Sequence, residues 1–357
     1  MCAQSNIQDR QGQHVYAGFD VAKKSWHVSI HVGSQFYKSF TQPPRAEVLG
    51  TYLQHNFPGA THHSVYEAGF CGYGPHRELL AMHVENVVVH PADVPTTDKE
   101  HRRKNDPVDS RKLSRSLSLG ELRPLYVPSQ QAEQDRMLVR MRYSFVKKQT
   151  RCKLQIKSLL AFSGISIPAD MDERYWSRRF IAWLQQLRLA TDTGTSALHA
   201  LVEELLFLRT QLAAFTRQIR RLSQSEVYQR LVTLLRTIVG ISELSAMLIL
   251  TEIIDILRFR DQEHLASYAG LVPDEHSSGD LQKVGRISRR RNPALRAQLV
   301  ECAWISIRND PSLALAFERL SHRMGKHKAI IRIARKLLNR IRFVLIHQQP
   351  YKPVVAG

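Results

Sequence analysis

Cysteine, long apolar runs and acidic residues are all scarce in this chain. Its four cysteines stand singly along 357 residues, without C-x-x-C pairs. This spacing excludes a disulfide framework and a cysteine zinc site, and it predicts a reducing compartment. The N-terminus is polar, and no apolar run approaches the length of a membrane span. We therefore expect a cytoplasmic protein without a membrane partner.

The shortage of acidic residues leaves a large positive charge. Lys plus Arg number 51 and Asp plus Glu number 32, a formal net charge of +19. Such an excess predicts a polyanionic partner. Nucleic acid fits this better than a membrane surface, since the sequence has no amphipathic anchor or lipidation signal. The chain is also long enough for two or three domains with a substantial core.

Two carboxylates are placed together in a basic segment, residues 98–117. Asp106 and Asp109 stand three residues apart where a helix is predicted to begin, since Asp106 fits an N-cap, Pro107 the first helical position and Asp109 the third. Both acids then belong to the first turn, where a divalent cation with oxygen ligands would relieve their repulsion. The basic flanks suit a phosphate backbone. The structural alternative is an ordinary N-cap with an acidic first turn.

Two further carboxylates end predicted strands upstream. Residues 15–33 are typical of a β-hairpin whose first, apolar strand ends at Asp20. After a polar loop and a helix over 46–55, a short strand over 64–66 runs into Glu67 and a Gly-rich turn. A carboxylate at the end of an apolar strand is costly without a partner, so both are candidate ligands. Asp20 could instead be a turn residue and Glu67 a helix cap.

A helix, a strand over 86–90 and the helix opened by Asp106 complete this region. The order resembles the ribonuclease H-like (RuvC-like) fold. The motifs GFDVAKKSWHVSI, YEAGFCGY and KNDPVDSRKLSR resemble the N-terminal domain of DEDD-type insertion-sequence transposases, RNA-guided recombinases. The resemblance implies an acidic tetrad binding Mg²⁺, or Mn²⁺, for phosphodiester chemistry; its members would be Asp20, Glu67, Asp106 and Asp109. We interpret the neighbouring acids Asp93, Asp98 and Glu100 as solvated.

The middle of the chain is predicted to form two long helices. The first, over residues 131–162, is basic. The second carries eight apolar residues at alternating spacings of three and four, the pattern of a coiled-coil seam; they are Leu198, Leu201, Leu205, Leu208, Leu212, Phe215, Ile219 and Leu222. This seam could pack on the first helix or join two copies of the chain. The resemblance, which includes a coiled-coil connector here, favours a homo-oligomer, a dimer or a tetramer.

Residues 235–253 are predicted to form two helices joined by a turn at Gly240. This resembles a helix-hairpin-helix element that binds nucleic-acid phosphates, although the usual second glycine is Ser242 here. A plain helical turn in the core is the alternative.

The run ASYAGLVP, SSG and GRISRRRNPALR resembles the C-terminal domain of the same transposases. In that domain a serine directly before glycine is the nucleophile, which implies Ser278, with Ser277 as its competitor. The chain departs from the family at Arg291-Asn292, where a Gly-Asn or Gly-Asp pair is usual. From Ser278 to Leu345 there are 16 Lys plus Arg against four Asp plus Glu, which predicts a nucleic-acid surface.

The sequence therefore predicts an α/β, ribonuclease H-like domain over 1–128, a helical coiled-coil connector over 129–228 and a mostly α-helical transposase domain over 229–357. The resemblance implies DNA strand cleavage and exchange by a transposase, with donor and target DNA and a guide RNA as partners, and with nucleoid association. A Holliday-junction-type nuclease, using water in place of Ser278, is the first alternative. A non-catalytic nucleic-acid scaffold is the second.

Overall fold

In the computed structural model the described residues are 11–95, 106–171, 176–278, 281–287 and 292–352; for 106–107, 273–278 and 281–287 only the backbone is described. The chain divides into two compact units, Met1–Val127 and Pro128–Gly357, here called the N-terminal and C-terminal units. The domain boundary predicted near residue 128 stays a prediction. A further boundary near residue 228 stays a prediction.

A five-stranded sheet forms the centre of the N-terminal unit. Its strands are β1 (His14–Val21), β2 (Trp26–Val32), β3 (Gln35–Gln42), β4 (Thr61–Glu67) and β5 (Glu85–Val89), in the spatial order β3-β2-β1-β4-β5. β1 pairs antiparallel with β2 and parallel with β4. This mixed sheet confirms the predicted α/β class and is consistent with a ribonuclease H-like fold.

The edge strand β3 differs from the prediction, which placed a polar loop there. Its sequence, QFYKSFTQ, is exposed along its first four residues. An edge strand has a neighbour on one side only, so it needs little apolar surface. Its hydrogen bonds to β2, rather than hydrophobic periodicity, define it.

Alternating side chains give the sheet two different faces. Val15, Ala17 and Phe19 of β1 face a core that is covered by α1 (Ala46–Asn56) and α2 (Gly74–Ala81). In α1 the buried Ala46, Leu49, Gly50 and Leu53 recur at helical spacing and form one apolar stripe. The other face is covered by α3 (Asp106–Ser118), so the unit has three layers.

The C-terminal unit is mainly helical, as predicted. Its helices are α4 (Gln130–Phe162), α5 (Arg178–Gln186), α6 (Asp192–Ser223), α7 (Gln229–Leu235), α8 (Glu243–Ile253), α9 (Gln262–Tyr268), α10 (Pro293–Asn309), α11 (Pro311–Met324) and α12 (Lys326–His347). It also contains a two-stranded antiparallel sheet, β6 (Pro273–Ser278) and β7 (Leu281–Ile287), that the sequence interpretation missed. Among the described residues, no helix is long and apolar enough to span a bilayer.

The predicted apolar seam of α6 packs against α4 and α5 of the same chain. Leu198, Leu205, Leu208 and Ile219 are buried. The other four seam residues are half-buried. The structure therefore shows the intramolecular alternative for much of the seam, and self-association through it stays a prediction.

The turn at Gly240 is pressed against α10. Gly240 has φ +93°, and a Cβ atom there would collide with Ser306 and with the carbonyl oxygen of Cys302. Ser306 Oγ also donates a hydrogen bond to the Val239 carbonyl oxygen at 2.7 Å. These contacts fit the alternative of a core turn, and phosphate binding by a helix-hairpin-helix element stays a prediction. The preceding helix ends at Leu235, earlier than the sequence predicted.

Candidate active site

The helix that carries Asp106 and Asp109 lies unusually close to the sheet. A Cβ atom at Gly18 would collide with the backbone of Ser110 and Ser114, so only glycine permits this approach. The hydroxyl oxygens of Ser29 in β2 and Ser110 lie 2.8 Å apart. His31 Nδ1 lies 2.9 Å from Ser114 Oγ. The absence of a side chain at Gly18 therefore lets α3 approach β1, and polar side chains join α3 to β2.

These contacts also define the direction of α3. The Ser110 side chain meets Ser29, which pairs with Gly18, and the Ser114 side chain meets His31, which pairs with Tyr16. The helix therefore runs antiparallel to β1, with its first turn at the carboxyl end of that strand.

The spacing along helix and strand brings Asp106 level with Asp20. Asp106 lies one turn before Ser110, about 6 Å along the helix axis. Asp20 lies two residues beyond Gly18, about 6.7 Å along the strand. Both steps lead in the same direction from the same contact. The backbone therefore places these two acidic positions at the same level along the direction of β1.

The same argument applies on the β4 side of α3. Leu113 belongs to a buried cluster with Val65 of β4 and Val89 of β5. Asp109 lies one turn before Leu113, and Glu67 lies two residues beyond Val65. Asp109 is therefore level with Glu67.

Strand register completes the set. Gly18 pairs with Val65 across the parallel strands β1 and β4. Two residues further, Asp20 and Glu67 occupy the same face of neighbouring strands, whose backbones are about 4.8 Å apart. The fold therefore brings all four predicted positions to one edge of the sheet. The Asp106 side chain is not described, and among the described side chains no three Asp, Glu, His or Cys groups form a metal-binding cluster.

The described side chains at this edge are partly shielded from water. Asp20, Glu67 and Asp109 are half-buried. Lys112 Nζ lies 3.7 Å from Asp109 Oδ1, and Lys112 is only 7% exposed. This buried ammonium offsets part of the negative charge. Half-buried carboxylate oxygens are the donors that Mg²⁺ and Mn²⁺ prefer, so the residues present fit such an ion.

His27 is a residue of this edge that the sequence interpretation did not select. It pairs with Asp20 across β1 and β2, on the same face of the sheet. Its Nδ1 lies 3.2 Å from Thr41 Oγ1, and its buried Nε2 has no hydrogen-bond partner within the described part of the chain. An orphaned buried nitrogen favours a further polar group at this edge. The alternation in WHVSIHV was the signal that could have identified it.

His31 keeps the interior of this layer uncharged. Burial lowers its pKa, and the positive charges of Arg111 and Arg115 lower it further. Neutral imidazole can share its hydrogen bond with Ser114 without adding charge beside the basic helix. Arg111 itself lies over the Phe36 ring, 3.7 Å from its centroid.

The predicted nucleophile lies in the other unit. Ser278 is the last residue of β6 and pairs with Leu281, the first residue of β7. Ser277 pairs with Gln282, and because successive strand residues alternate, the two serines occupy opposite faces of the hairpin. The side chains of both serines and of His276 lie outside the described residues, as do Gly279, Arg291 and the two acids Asp98 and Glu100.

Part of the predicted basic surface is engaged within the C-terminal unit. Arg335 makes an ion pair with Glu263, and Arg340 makes one with Asp310. Four other basic residues of α12 are exposed and remain candidates for nucleic-acid contact: Lys326, Lys328, Arg332 and Lys336. His322 and His327 are also exposed.

Comparison with known families gives two matches along the chain. Residues 17–164 match the DEDD transposase family of IS110 elements. Residues 232–318 match a family described as "Transposase IS116/IS110/IS902 family". The first match includes all four acidic positions, and the second includes Ser278. A DEDD domain implies dependence on a divalent metal ion.

Several curated proteins are similar in sequence. A putative transposase, y4qE, of Sinorhizobium fredii is 33% identical over 239 residues, which are 67% of this chain and 57% of that protein. The transposase for insertion sequence element IS1111A of Coxiella burnetii is 25% identical over 79% of this chain and 78% of its own length. A pilin gene-inverting protein of Moraxella bovis is 34% identical over 119 residues, 32% of this chain and 37% of that protein. The chain thus aligns with little more than half of the first of these relatives.

Proposed function

The chain belongs to the IS116/IS110/IS902 family of transposases, and we propose that it moves an insertion sequence by site-specific recombination. Transposases of this kind cut DNA and transfer its strands. The observation that carries the proposal is the convergence of four acidic positions at one edge of the sheet. Two of them follow from the pairing of β1 with β4, and two from the placement of α3.

One half of the proposed chemistry belongs to the acidic edge, the edge of the sheet at which the four acidic positions lie. Asp20, Glu67, Asp106 and Asp109 would hold Mg²⁺ or Mn²⁺, which when bound stabilises negative charge on phosphate oxygens. The four carboxylates would fix the position of that ion at the edge of the sheet. Lys112, whose ammonium lies 3.7 Å from Asp109 Oδ1, limits the repulsion among them.

Ser278 supplies the other half. Its hydroxyl oxygen attacks the phosphorus atom and loses its proton, and a phosphoserine ester forms as one P–O bond of the DNA breaks. The departing DNA oxygen takes up a proton. Attack on that ester by a hydroxyl group of another DNA end reverses these changes and regenerates serine. The ester thus conserves the bond energy between cutting and rejoining, which an attacking water molecule would not.

Two observations support recombination over the nuclease alternative. The family match over residues 232–318 covers the hairpin that carries Ser278. One relative is named a pilin gene-inverting protein, and an inversion requires that cut ends be rejoined.

We further propose donor and target DNA, a guide RNA and a homo-oligomer as partners, together with nucleoid association. The net charge of +19 and the exposed lysine and arginine side chains of α12 support polyanionic partners. Exposed Met137 and Leu154 on α4 and Phe207 on α6 support self-association along the predicted connector, residues 129–228.

Replacement of the two α3 carboxylates tests this proposal. Asp106→Asn and Asp109→Asn should each abolish strand cleavage in Mg²⁺ while nucleic-acid affinity changes little, because an amide neither neutralises the ion nor matches a carboxylate as its ligand. Asp93→Asn, at an exposed acid of the same unit, is the matched control and should cleave normally. Normal cleavage by both α3 variants would contradict the metal-site assignment.

A further inference from the structure

The hairpin formed by β6 and β7 is closed at its base through Asn292. The Asn292 backbone N–H donates a hydrogen bond to the Tyr268 carbonyl oxygen at 2.9 Å. Tyr268 is the last residue of α9, before β6, and Asn292 follows β7 and caps α10. This hydrogen bond therefore joins the two ends of the segment that carries Ser277 and Ser278.

The Asn292 side chain is held at both of its polar atoms. Its Oδ1 accepts a hydrogen bond from the Leu295 N–H at 3.0 Å, as an N-cap of α10. Its Nδ2 donates to Glu252 Oε2 at 2.7 Å and lies 3.2 Å from Tyr268 Oη. Asn292 is only 6% exposed. Its conformation is therefore determined by the helix that follows it and by a carboxylate of α8.

Glu252 is a rigid anchor for this arrangement. It is fully buried, and Arg140 of α4 donates to both of its oxygens, from Nε to Oε1 at 2.6 Å and from Nη2 to Oε2 at 2.7 Å. The Tyr268 hydroxyl donates to the Glu252 carbonyl oxygen at 2.9 Å. Burial of a carboxylate is costly, and the cost is offset only where its oxygens are well paired, as they are here. The network thus links α4, α8, α9 and α10 at the base of the hairpin.

Directional polar contacts do more than hold helices together. An apolar contact tolerates sliding, whereas a hydrogen bond weakens steeply when its angle or length changes. A chain from Arg140 through Glu252 to Asn292 therefore restricts how the hairpin leaves the helical body. Covalent attack needs such restriction, because a displacement of about 1 Å at a nucleophile can reduce its rate roughly a hundredfold.

We propose that Asn292 and Glu252 are positioning residues for the Ser278 hairpin. Neither touches the reacting atoms; they orient the strand that ends at Ser278. The inference rests on the proposed role of Ser278, but the orientation of the hairpin can be measured without it.

Asn292→Asp is the informative variant. Aspartate is as good an N-cap as asparagine, so α10 keeps its cap. The substitution removes the donor to Glu252 and places two carboxylates in contact, which repel. We expect amide hydrogen exchange in residues 273–287 to become at least roughly tenfold faster, and exchange in the core of α10 to be unchanged. At saturating DNA, formation of the serine adduct should slow by about tenfold or more, with DNA affinity changed less than about threefold.

Two further variants separate positioning from general stability. Arg140 donates to both Glu252 oxygens, so Glu252→Gln sets an amide N–H against one Arg140 donor and should accelerate exchange in residues 273–287 as Asn292→Asp does. Asp135→Asn is the matched control, because Asp135 accepts a hydrogen bond from Tyr228 at 2.9 Å in another buried contact of the same unit. It should lower the melting temperature without accelerating exchange in residues 273–287.

Wild-type exchange in the hairpin of folded Asn292→Asp would overturn the proposal. So would equal acceleration by Asp135→Asn, or wild-type exchange in the hairpin of folded Glu252→Gln. If instead the wild-type chain forms no adduct at Ser278, the nucleophile assignment fails, and the exchange measurement still decides whether Asn292 and Glu252 orient the hairpin.

Discussion

The hydroxyl groups of Ser29 and Ser110 lie 2.8 Å apart and join the strand next to β1 with the helix that carries two of the acidic residues. Ser110 is fully buried, and Ser29 also lies 2.7 Å from Ser39 of β3. A chain of small hydroxyl side chains thus crosses from the edge of the sheet to α3. The acidic edge depends on this contact, because the contact determines how far along the strands Asp106 and Asp109 lie.

The close approach at Gly18 predicts a sensitive position. Gly18→Ala should destabilise the N-terminal unit by about 1–3 kcal/mol, because its Cβ has no space against the backbone of α3. It should also reduce cleavage by displacing α3. Chemical denaturation and a cleavage assay measure the two effects. Gly74→Ala, where a Cβ atom meets nothing within 4 Å, is the control and should change neither; equal stability of the two variants would contradict the packing argument.

The two neighbouring serines predict unequal effects. Ser278→Ala should eliminate both recombination and the covalent DNA adduct, since alanine has no nucleophile. Ser277→Ala should be much milder, because Ser277 occupies the opposite face of β6. Mass spectrometry of the trapped adduct checks both. The assignment is wrong if the DNA-linked peptide carries its modification at any residue other than Ser278.

His31 predicts a pH dependence of stability. Its pKa in the folded chain lies below the ordinary value of 6.5, mainly because of burial. The unfolded chain therefore binds the proton more readily, and stability should fall as the pH drops below about 6.5. Urea denaturation between pH 5 and pH 8 measures this slope.

His31→Gln should make that slope shallower while retaining a hydrogen bond to Ser114; His63, whose pKa is also lowered by burial, contributes to the slope that remains. His322→Gln, at an exposed position of α11, should leave it as in the wild type. An unchanged slope in His31→Gln would show that another group is responsible.

The packing of α6 predicts which apolar residues support folding. Leu208 is 3% exposed in the core shared with α4 and α5. Leu208→Ala should therefore cost about 2–5 kcal/mol, measured by chemical denaturation. The neighbouring Phe207 is 58% exposed, so Phe207→Ala should change stability by less than about 0.5 kcal/mol.

Sedimentation of the Phe207→Ala variant then reports on self-association without the complication of unfolding. If Leu208→Ala dissociates an oligomer and leaves the unfolding midpoint unchanged, the seam is an interface between copies and not a core.

Much of this protein could be predicted from local sequence. Three features each depend on a few neighbouring residues, so local patterns predicted them: the strand β1 with the acid near its end, the glycine-rich turn after Glu67 and the helix start at Asp106. The two long helices α4 and α6 were predicted from periodicity for the same reason. The edge strand β3 and the pair β6 and β7 were not, because their hydrogen bonds, and not their apolar pattern, define them.

The sequence alone determined which residue types were available: four carboxylates in order, a serine before a glycine, an apolar seam and a large basic excess. Only the tertiary structure decided which of them meet. The contacts of Gly18 and Ser110 determine where α3 lies along the strands, and the register of Gly18 with Val65 aligns Asp20 with Glu67. Burial of Leu208 directs the seam toward the core of its own chain. The tertiary structure also brought Arg140 to Glu252, 112 residues away, and Asn292 to Glu252. Contacts between distant segments depend on packing and strand register, which no local pattern encodes.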